Sequence, residues 1–170
     1  TIDSLKSLNR VCAKDIYSSV NYPAGNNTAF DGYAVNSKDT IYLNKKNSKK
    51  FRILKTIAAG DNPKIKNVKK FQAVEVMTGA IINKPFDTII PYEQANIIIQ
   101  NKEKYLSIDK RVKKFNHIRL KGSDYRRGQI ILKKGDLIKS SDILVLKTLG
   151  ISKIKVKKRV KVIFFPTGNE

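Results

Sequence analysis

Five short runs rich in Val, Ile and Tyr lie at residues 52–58, 73–77, 88–91, 97–99 and 105–108, separated by Gly, Pro, Asn and Asp. β-Branched and aromatic side chains fit a pleated, half-buried surface, and the separators are turn formers, so the pattern predicts short strands. Their close spacing predicts a compact β unit or a barrel-like sheet. The tracts 44–50 and 62–70 are polar and Lys-rich. They read as solvated loops.

The pattern changes period over 124–156. Residues 129–132 read as a strand following Arg127-Gly128, and Lys134-Gly135-Asp136 as a turn before Leu137-Ile138. Ser140 or Ser141 is placed to cap a helix, with Asp142 in its first turn, where a carboxylate meets exposed N–H groups. Ile143, Leu144, Leu146 and Leu149 recur at helical spacing as its buried face. Gly150 supplies the left-handed stop, and residues 151–156 return as a strand.

Residues 160–165 form an apolar run broken only by Lys161, followed by Pro166-Thr167-Gly168-Asn169-Glu170. A continuous apolar strand feeding a Gly-containing loop is how a parallel α/β domain begins, since such a strand is covered on both faces. The expectation is a chain cut just after the first strand of a further domain. Because the chain opens on Thr1 rather than Met, a native N-terminus upstream is expected.

Composition bounds the picture. With 170 residues, 41% of them hydrophobic, the chain suffices for one domain with a real core or two small ones sharing it. No apolar run approaches the ~20 residues of a membrane-spanning helix. Residues 1–10 carry no apolar signal-peptide core. The expectation is a cytoplasmic protein with no membrane contact. The single Cys12 excludes an internal disulfide and fits a reducing compartment. Flanked by Val11 and Ala13, it reads as a buried structural thiol rather than a reactive one.

The net charge of +21 invites a nucleic-acid reading. However, 28 of the 35 basic residues are Lys and 7 are Arg, the side chain that favours bidentate base and phosphate contacts. The lysines are spread along the whole chain. Lys, Asn and Ile together number 64 of 170 residues, and all three have A/T-rich codons. A low-GC genome accounts for the excess, and no specific nucleic-acid partner is expected.

Three places carry candidate chemistry. In Asn27-Thr28-Ala29-Phe30-Asp31-Gly32-Tyr33-Ala34-Val35, a carboxylate at the mouth of a strand either faces a ligand or caps local N–H groups in a turn. In Met77-Thr78-Gly79-Ala80, a hydroxyl and N–H groups beside Gly either bind an oxyanion or end a strand. In Arg119-Leu120-Lys121-Gly122-Ser123-Asp124, basic and acidic residues either face an anion or metal or form a surface hairpin with a local ion pair. His117 beside them reads as a polar loop residue.

Taken together and in order, these stretches resemble the molybdopterin molybdenumtransferases, the MoeA and gephyrin E-domain family. The first resembles that family's N-S-A-M-D-G-Y-A-V, with Thr28 for Ser and Phe30 for Met. Ile57-Ala58-Ala59-Gly60 resembles its next A-G turn, and Val76-Met77-Thr78-Gly79-Ala80 with Asp87 and Glu93 its I-M-T-G-A…D-A-V-V…E. Residues 117–124 resemble N-I-R-x-x-G-E-D, with His117 for Asn and Ser123 for Glu. Gly128, Lys134-Gly135 and Leu149-Gly150-Ile151 fall in the family's order, and residues 165–170 resemble F-S-T-G-D-E. Glu75 stands where the family usually has Arg, and residues 81–85 lack its usual Pro-rich spacing.

The resemblance implies an α+β, mostly β fold: short strands in a compact β unit plus a small α/β linker domain, ending in the first strand of an α/β pterin-binding domain that the chain lacks. It implies a discontinuous N-terminal and linker domain over 1–29 and 110–158, an inserted β-rich domain over 30–109, and the start of a molybdopterin-binding domain over 159–170. It implies a magnesium-dependent transferase, a homodimer when full length. Molybdate and adenylylated molybdopterin are its substrates and AMP is released. Asp31, Thr78, Asp124 and Glu170 are the catalytic positions, Asp31 and Glu170 being the metal-binding ones. Gly32, Gly79, Arg119 and Gly168 are the cofactor-binding ones. On this reading the fragment alone is inactive. The rival is a non-catalytic scaffold module or a basic nucleic-acid-binding fragment.

Overall fold

The computed structural model describes residues 1–168 and forms two compact units, residues 21–126 and residues 1–20 with the segment from 127 onward. The junctions between these units lie at 20/21 and 126/127. Backbone pairing explains the placement: Tyr22 bridges Tyr125, and Asn27–Thr28 pairs with Ile118–Arg119, so both flanks of the β-rich segment belong with it.

Residues 21–126 are organised by a six-stranded sheet. Its strands are β1 (Gly32–Val35), β2 (Lys49–Ile57), β3 (Gln72–Val76), β4 (Thr88–Pro91), β5 (Asn96–Gln100) and β6 (Glu103–Ile108). They lie in the order β4-β1-β3-β2-β6-β5, antiparallel except for β2 beside β3. A parallel pair needs a long crossover, and the Lys-rich segment 58–71 supplies it. Alternate residues point to opposite faces. Tyr33, Val35 and Ala73 join Phe51, Leu106 and Ile108 in one core. Ala34, Val74 and Val76 join Ile57, Phe86 and Ile89 in the other. With apolar layers on both faces, β1 and β4 are buried at every position. Lys49 and Lys50, read as loop, instead open β2, their backbones paired with Ile108 and Ser107 while their side chains stay exposed.

In the other unit, Ile2–Asp3 pairs with Lys153–Ile154 and Ile16–Tyr17 with Ile130–Leu132. The helix α1 (Ser140–Thr148) lays Leu146 among Cys12, Ile16, Leu132, Ile138 and Ile154. A nine-residue helix is marginal by itself, so this packing holds it. Its cap is Lys139, one residue before the expected serines. A lysine side chain accepts nothing; the cap is made from within the helix, as Asp142 Oδ2 accepts from Lys139 N at 2.8 Å. Leu144 is not on the buried face: it is 68% exposed. At 100° per residue it points well away from Leu146, whereas Ile143 and Leu146, three apart, share a side. The stop at Gly150 (φ 73°) is a Schellman turn, with Ile151 N donating to Leu146 O and Gly150 N to Lys147 O. Cys12 is fully buried, its thiol donating to Lys14 O, and burial pushes its pKa up.

Residues 160–165 form no strand, because none of the described residues pairs with them. Their apolar side chains are between 73% and 90% exposed. A chain ending at Arg159 is therefore expected to keep the melting temperature of the 170-residue chain and to scatter less light, since an apolar extended segment invites association. A clear drop in melting temperature would place this segment in the unit's own core.

Candidate active site

The sheet's pairing brings two of the candidate stretches together. β1 and β3 are antiparallel with Gly32 opposite Val76. Asp31, just before β1, and Thr78, just after β3, therefore emerge at the same end. Asp31 Oδ1 accepts from Thr78 N at 2.5 Å and from Thr78 Oγ1 at 2.7 Å. These two bonds, the hydroxyl's first and then the amide's, hold the exposed carboxyl below the usual aspartate pKa. Among the described residues nothing donates to Oδ2. The Asp31 backbone is fixed as well, since its carbonyl accepts from Tyr92 N at 3.2 Å.

The segment just before Asp31 links the remaining loop. Thr28 O accepts from Gly79 N and Thr28 N donates to Ala80 O, each at 3.0 Å. Its other edge pairs with Ile118–Arg119. Arg119 Nη2 donates to Asp124 Oδ2 at 2.6 Å, and Ser123 Oγ to Asp124 Oδ1 at 3.0 Å. Both oxygens of Asp124 are thus engaged, in a half-exposed ion pair of the kind that adds little stability. The ion pair closes over the turn in which Ser123 N donates to Leu120 O. No hydrogen bond among the described residues joins the Asp31–Thr78 clasp to the Arg119–Asp124 pair. His117 packs edge-on to Phe30, ring centroids 4.9 Å apart.

The candidate glycines have structural duties. A Cβ on Gly32 would overlap the carbonyl oxygen of Ile90 in β4, so glycine lets the two strands approach. Gly79 sits at φ 83°, a left-handed conformation that other residues rarely adopt. Gly168 lies in a bend, and Glu170 lies outside the described residues.

Among the described residues no three Asp, Glu, His or Cys side chains converge to hold a metal. Mg²⁺ keeps most of its waters and takes one or two carboxylates plus substrate phosphates. The open oxygen of Asp31 fits such an outer contact, and the described residues make no closed cage.

Residues 1–150 match the family model described as the MoeA N-terminal region, domains I and II. The chain belongs to this family. It is 34% identical over its whole length to a molybdopterin molybdenumtransferase of Staphylococcus aureus, covering 39% of that protein. It is 33% identical over 97% of its length to one of Staphylococcus epidermidis, covering 38%. Among solved structures, a molybdopterin biosynthesis MoeA protein from Pyrococcus horikosii matches 91% of the chain and 38% of its own length, at a TM-score of 0.82 and 29% identity. The chain thus spans well under half the length of these relatives.

Within this MoeA-type unit the sequence reading passed over one cluster. Glu75, read only as a departure from the family's Arg, joins three neighbours. Its Oε2 accepts from Thr56 Oγ1 at 2.7 Å and its Oε1 from Tyr92 OH at 3.0 Å. Tyr33 lies opposite it on β1, with its ring edge-on to Tyr92 at 5.3 Å. The Thr56 bond, then the Tyr92 bond and the positive charge of nearby Lys104, hold the Glu75 carboxyl below its usual pKa against the opposing effect of burial. Tyr92 is pushed well above the usual phenol range by burial and by Glu75. Because Tyr92 N also holds the Asp31 carbonyl, Glu75 braces the site's backbone through Tyr92. The alternation of β3, which puts residue 75 on the face of Ala73, was the available signal.

Glu75→Gln is expected to destabilise the chain at neutral pH. A lowered folded pKa means stabilisation that is present above the ordinary glutamate value of 4.5 and is lost as pH falls through the folded value. The gap between wild type and variant in urea midpoint should therefore shrink on acidification below that value. A gap unchanged across the acid range would show that packing, rather than charge, sustains it.

Proposed function

We propose that the chain is the N-terminal, substrate-facing part of an enzyme of molybdenum cofactor biosynthesis that inserts molybdate into adenylylated molybdopterin with release of AMP. The observation that carries this reading is the Asp31–Thr78 clasp: an ionised, fixed carboxylate with one oxygen open to solvent, in a member of the MoeA N-terminal family. Mg²⁺, when bound, would screen the meeting of the molybdate dianion with a phosphoanhydride. The chain's own part is positional. Asp31 orients water or a hydrated cation. Thr78, through its N–H and hydroxyl, keeps Asp31 ionised and aimed. Arg119 and Asp124, with Gly32 and Gly79, line the approach for the substrate's phosphates. We place the full-length protein in the cytoplasm as a homodimer, with the partner's pterin-binding domain facing this region.

The test is reconstitution. The full-length protein, adenylylated molybdopterin and molybdate are supplied to an apo-molybdoenzyme, whose activity should return. The rival reading draws on the charge of +21. Labelled DNA and RNA, titrated from low to physiological salt, should bind weakly, sequence-blind and with steep salt loss. Absent reconstitution with submicromolar sequence-selective binding at physiological salt would favour the rival.

A further inference from the structure

An open cavity of about 820 Å³ lies within residues 21–126, and none of Asp31, Thr78, Arg119 or Asp124 lines it. Its floor is apolar, with Ile81, Phe86 and Phe115 beside Pro63 and Pro85. Ile81 and Phe115 are large side chains left 37% and 43% exposed. Around this floor stand Lys38, Lys84, Lys114 and Lys121. Among the described residues none of the four forms an ion pair. Among the described residues Asp87 is the only acid in the wall, and both its oxygens are already held by Ser37, from N at 2.7 Å and from Oγ at 3.0 Å. Four lysines against one aspartate leave an excess of three positive charges.

A lysine-rich chain scatters lysines everywhere, so their number is not the point. A second groove, holding Arg52, Lys55, Lys102 and Lys104, also contains Glu75 and Glu103, and Arg52 pairs with Glu103. The first cavity has a single acid, already held by Ser37, no ion pair among its lysines, and an apolar floor besides. A concave low-dielectric wall lined by one sign of charge focuses its field on the opening. Ammonium groups bind phosphate oxygens as point charges. Lys114 Nζ already sits 4.8 Å from the centre of the Phe115 ring, which keeps a cation beside an aromatic face. A flat ring laid on Ile81 and Phe115 would take their exposed surface out of water. The volume lies within the roughly 300–1,000 Å³ typical of small-molecule sites.

We propose that this cavity binds an organic phosphate, a phosphomonoester dianion carried on a flat apolar body. The lysines meet the phosphate while the floor takes the ring, so neither half of the ligand suffices. The site is separate from the Asp31–Thr78 clasp and does not rest on the function proposed above.

The test uses the full-length protein and 2-naphthyl phosphate, followed by fluorescence anisotropy, with inorganic phosphate and 2-naphthol as competitors. Saturable binding that loosens with salt is expected, each half competing at least about tenfold more weakly than the whole. The triple variant Lys84→Gln, Lys114→Gln, Lys121→Gln should weaken binding about tenfold or more. A matched triple at Lys6, Lys66 and Lys133, which removes the same charge elsewhere, should leave it within about twofold. Asn83→Glu, which sets a carboxylate in the wall, should also weaken binding and decides the matter if the first triple melts low. Asp31→Asn should leave it unchanged. Equal weakening by both triples, competition by inorganic phosphate as strong as by the probe, insensitivity to Asn83→Glu, or loss in Asp31→Asn would each overturn the proposal.

Discussion

Asp31→Asn in the full-length protein is expected to slow cofactor formation by roughly 10- to 100-fold, the usual effect of losing a carboxylate that orients a metal's outer shell. The substitution separates charge from shape. Asn has the same size, and its carbonyl oxygen can accept both bonds now made by Thr78 N and Thr78 Oγ1. The β1–β3 end of the sheet should therefore stay in place, and the melting temperature with it. What is lost is the negative charge that Thr78 holds ionised. Thr78→Ala removes one of the two donors and leaves the carboxylate, so its effect should be smaller. Rates are read as AMP release at limiting molybdate. A wild-type rate for Asp31→Asn would take this residue out of the chemistry and leave the clasp a turn cap.

Gly32→Ala should be the most damaging small substitution to the fold. The added Cβ would overlap Ile90 O and fall 2.8 Å from Pro91 Cα, closer than real contacts allow. Both atoms are backbone of β4, which is buried throughout and paired residue by residue with β1, Gly32 opposite Pro91. Overpacking costs about 1–3 kcal/mol and occasionally more, and a clash against backbone belongs at the upper end, about 3 kcal/mol. That corresponds to a fall of roughly 10 °C or more in melting temperature for a unit this size. Gly79→Ala meets only Ala59 Cβ at 3.5 Å. It should cost the ~1 kcal/mol of a left-handed backbone. An unchanged melting temperature for Gly32→Ala with lost activity would show that this glycine acts through ligand contact rather than through the fold.

The strands of the central sheet were legible because Val, Ile and Tyr alternate with turn residues, and β4 fell on the residues expected. The helix was legible through its glycine stop, but Leu144 was misassigned, because five apolar residues in the seven from 143 to 149 leave the buried stripe under-determined. Lys49 and Lys50 were missed as strand because pairing, not burial, fixes them. The meeting of Asp31 with Thr78 depends on β1 lying beside β3, 47 residues apart in sequence. No local period reports such a pairing; the ordered family pattern implied the two residues, and the sheet supplied their contact. Glu75 was noticed only as a departure, since its partners Thr56, Tyr33 and Tyr92 come from three other elements.

The measurement that tests the central claim most directly is a single-turnover reaction of the full-length protein with adenylylated molybdopterin, counting AMP and molybdenum-loaded cofactor as molybdate is added. The account predicts that both products appear together, in equal amounts and only with molybdate, in wild type, and much more slowly in Asp31→Asn. AMP release without molybdenum incorporation, or incorporation at the same rate in both proteins, would contradict it.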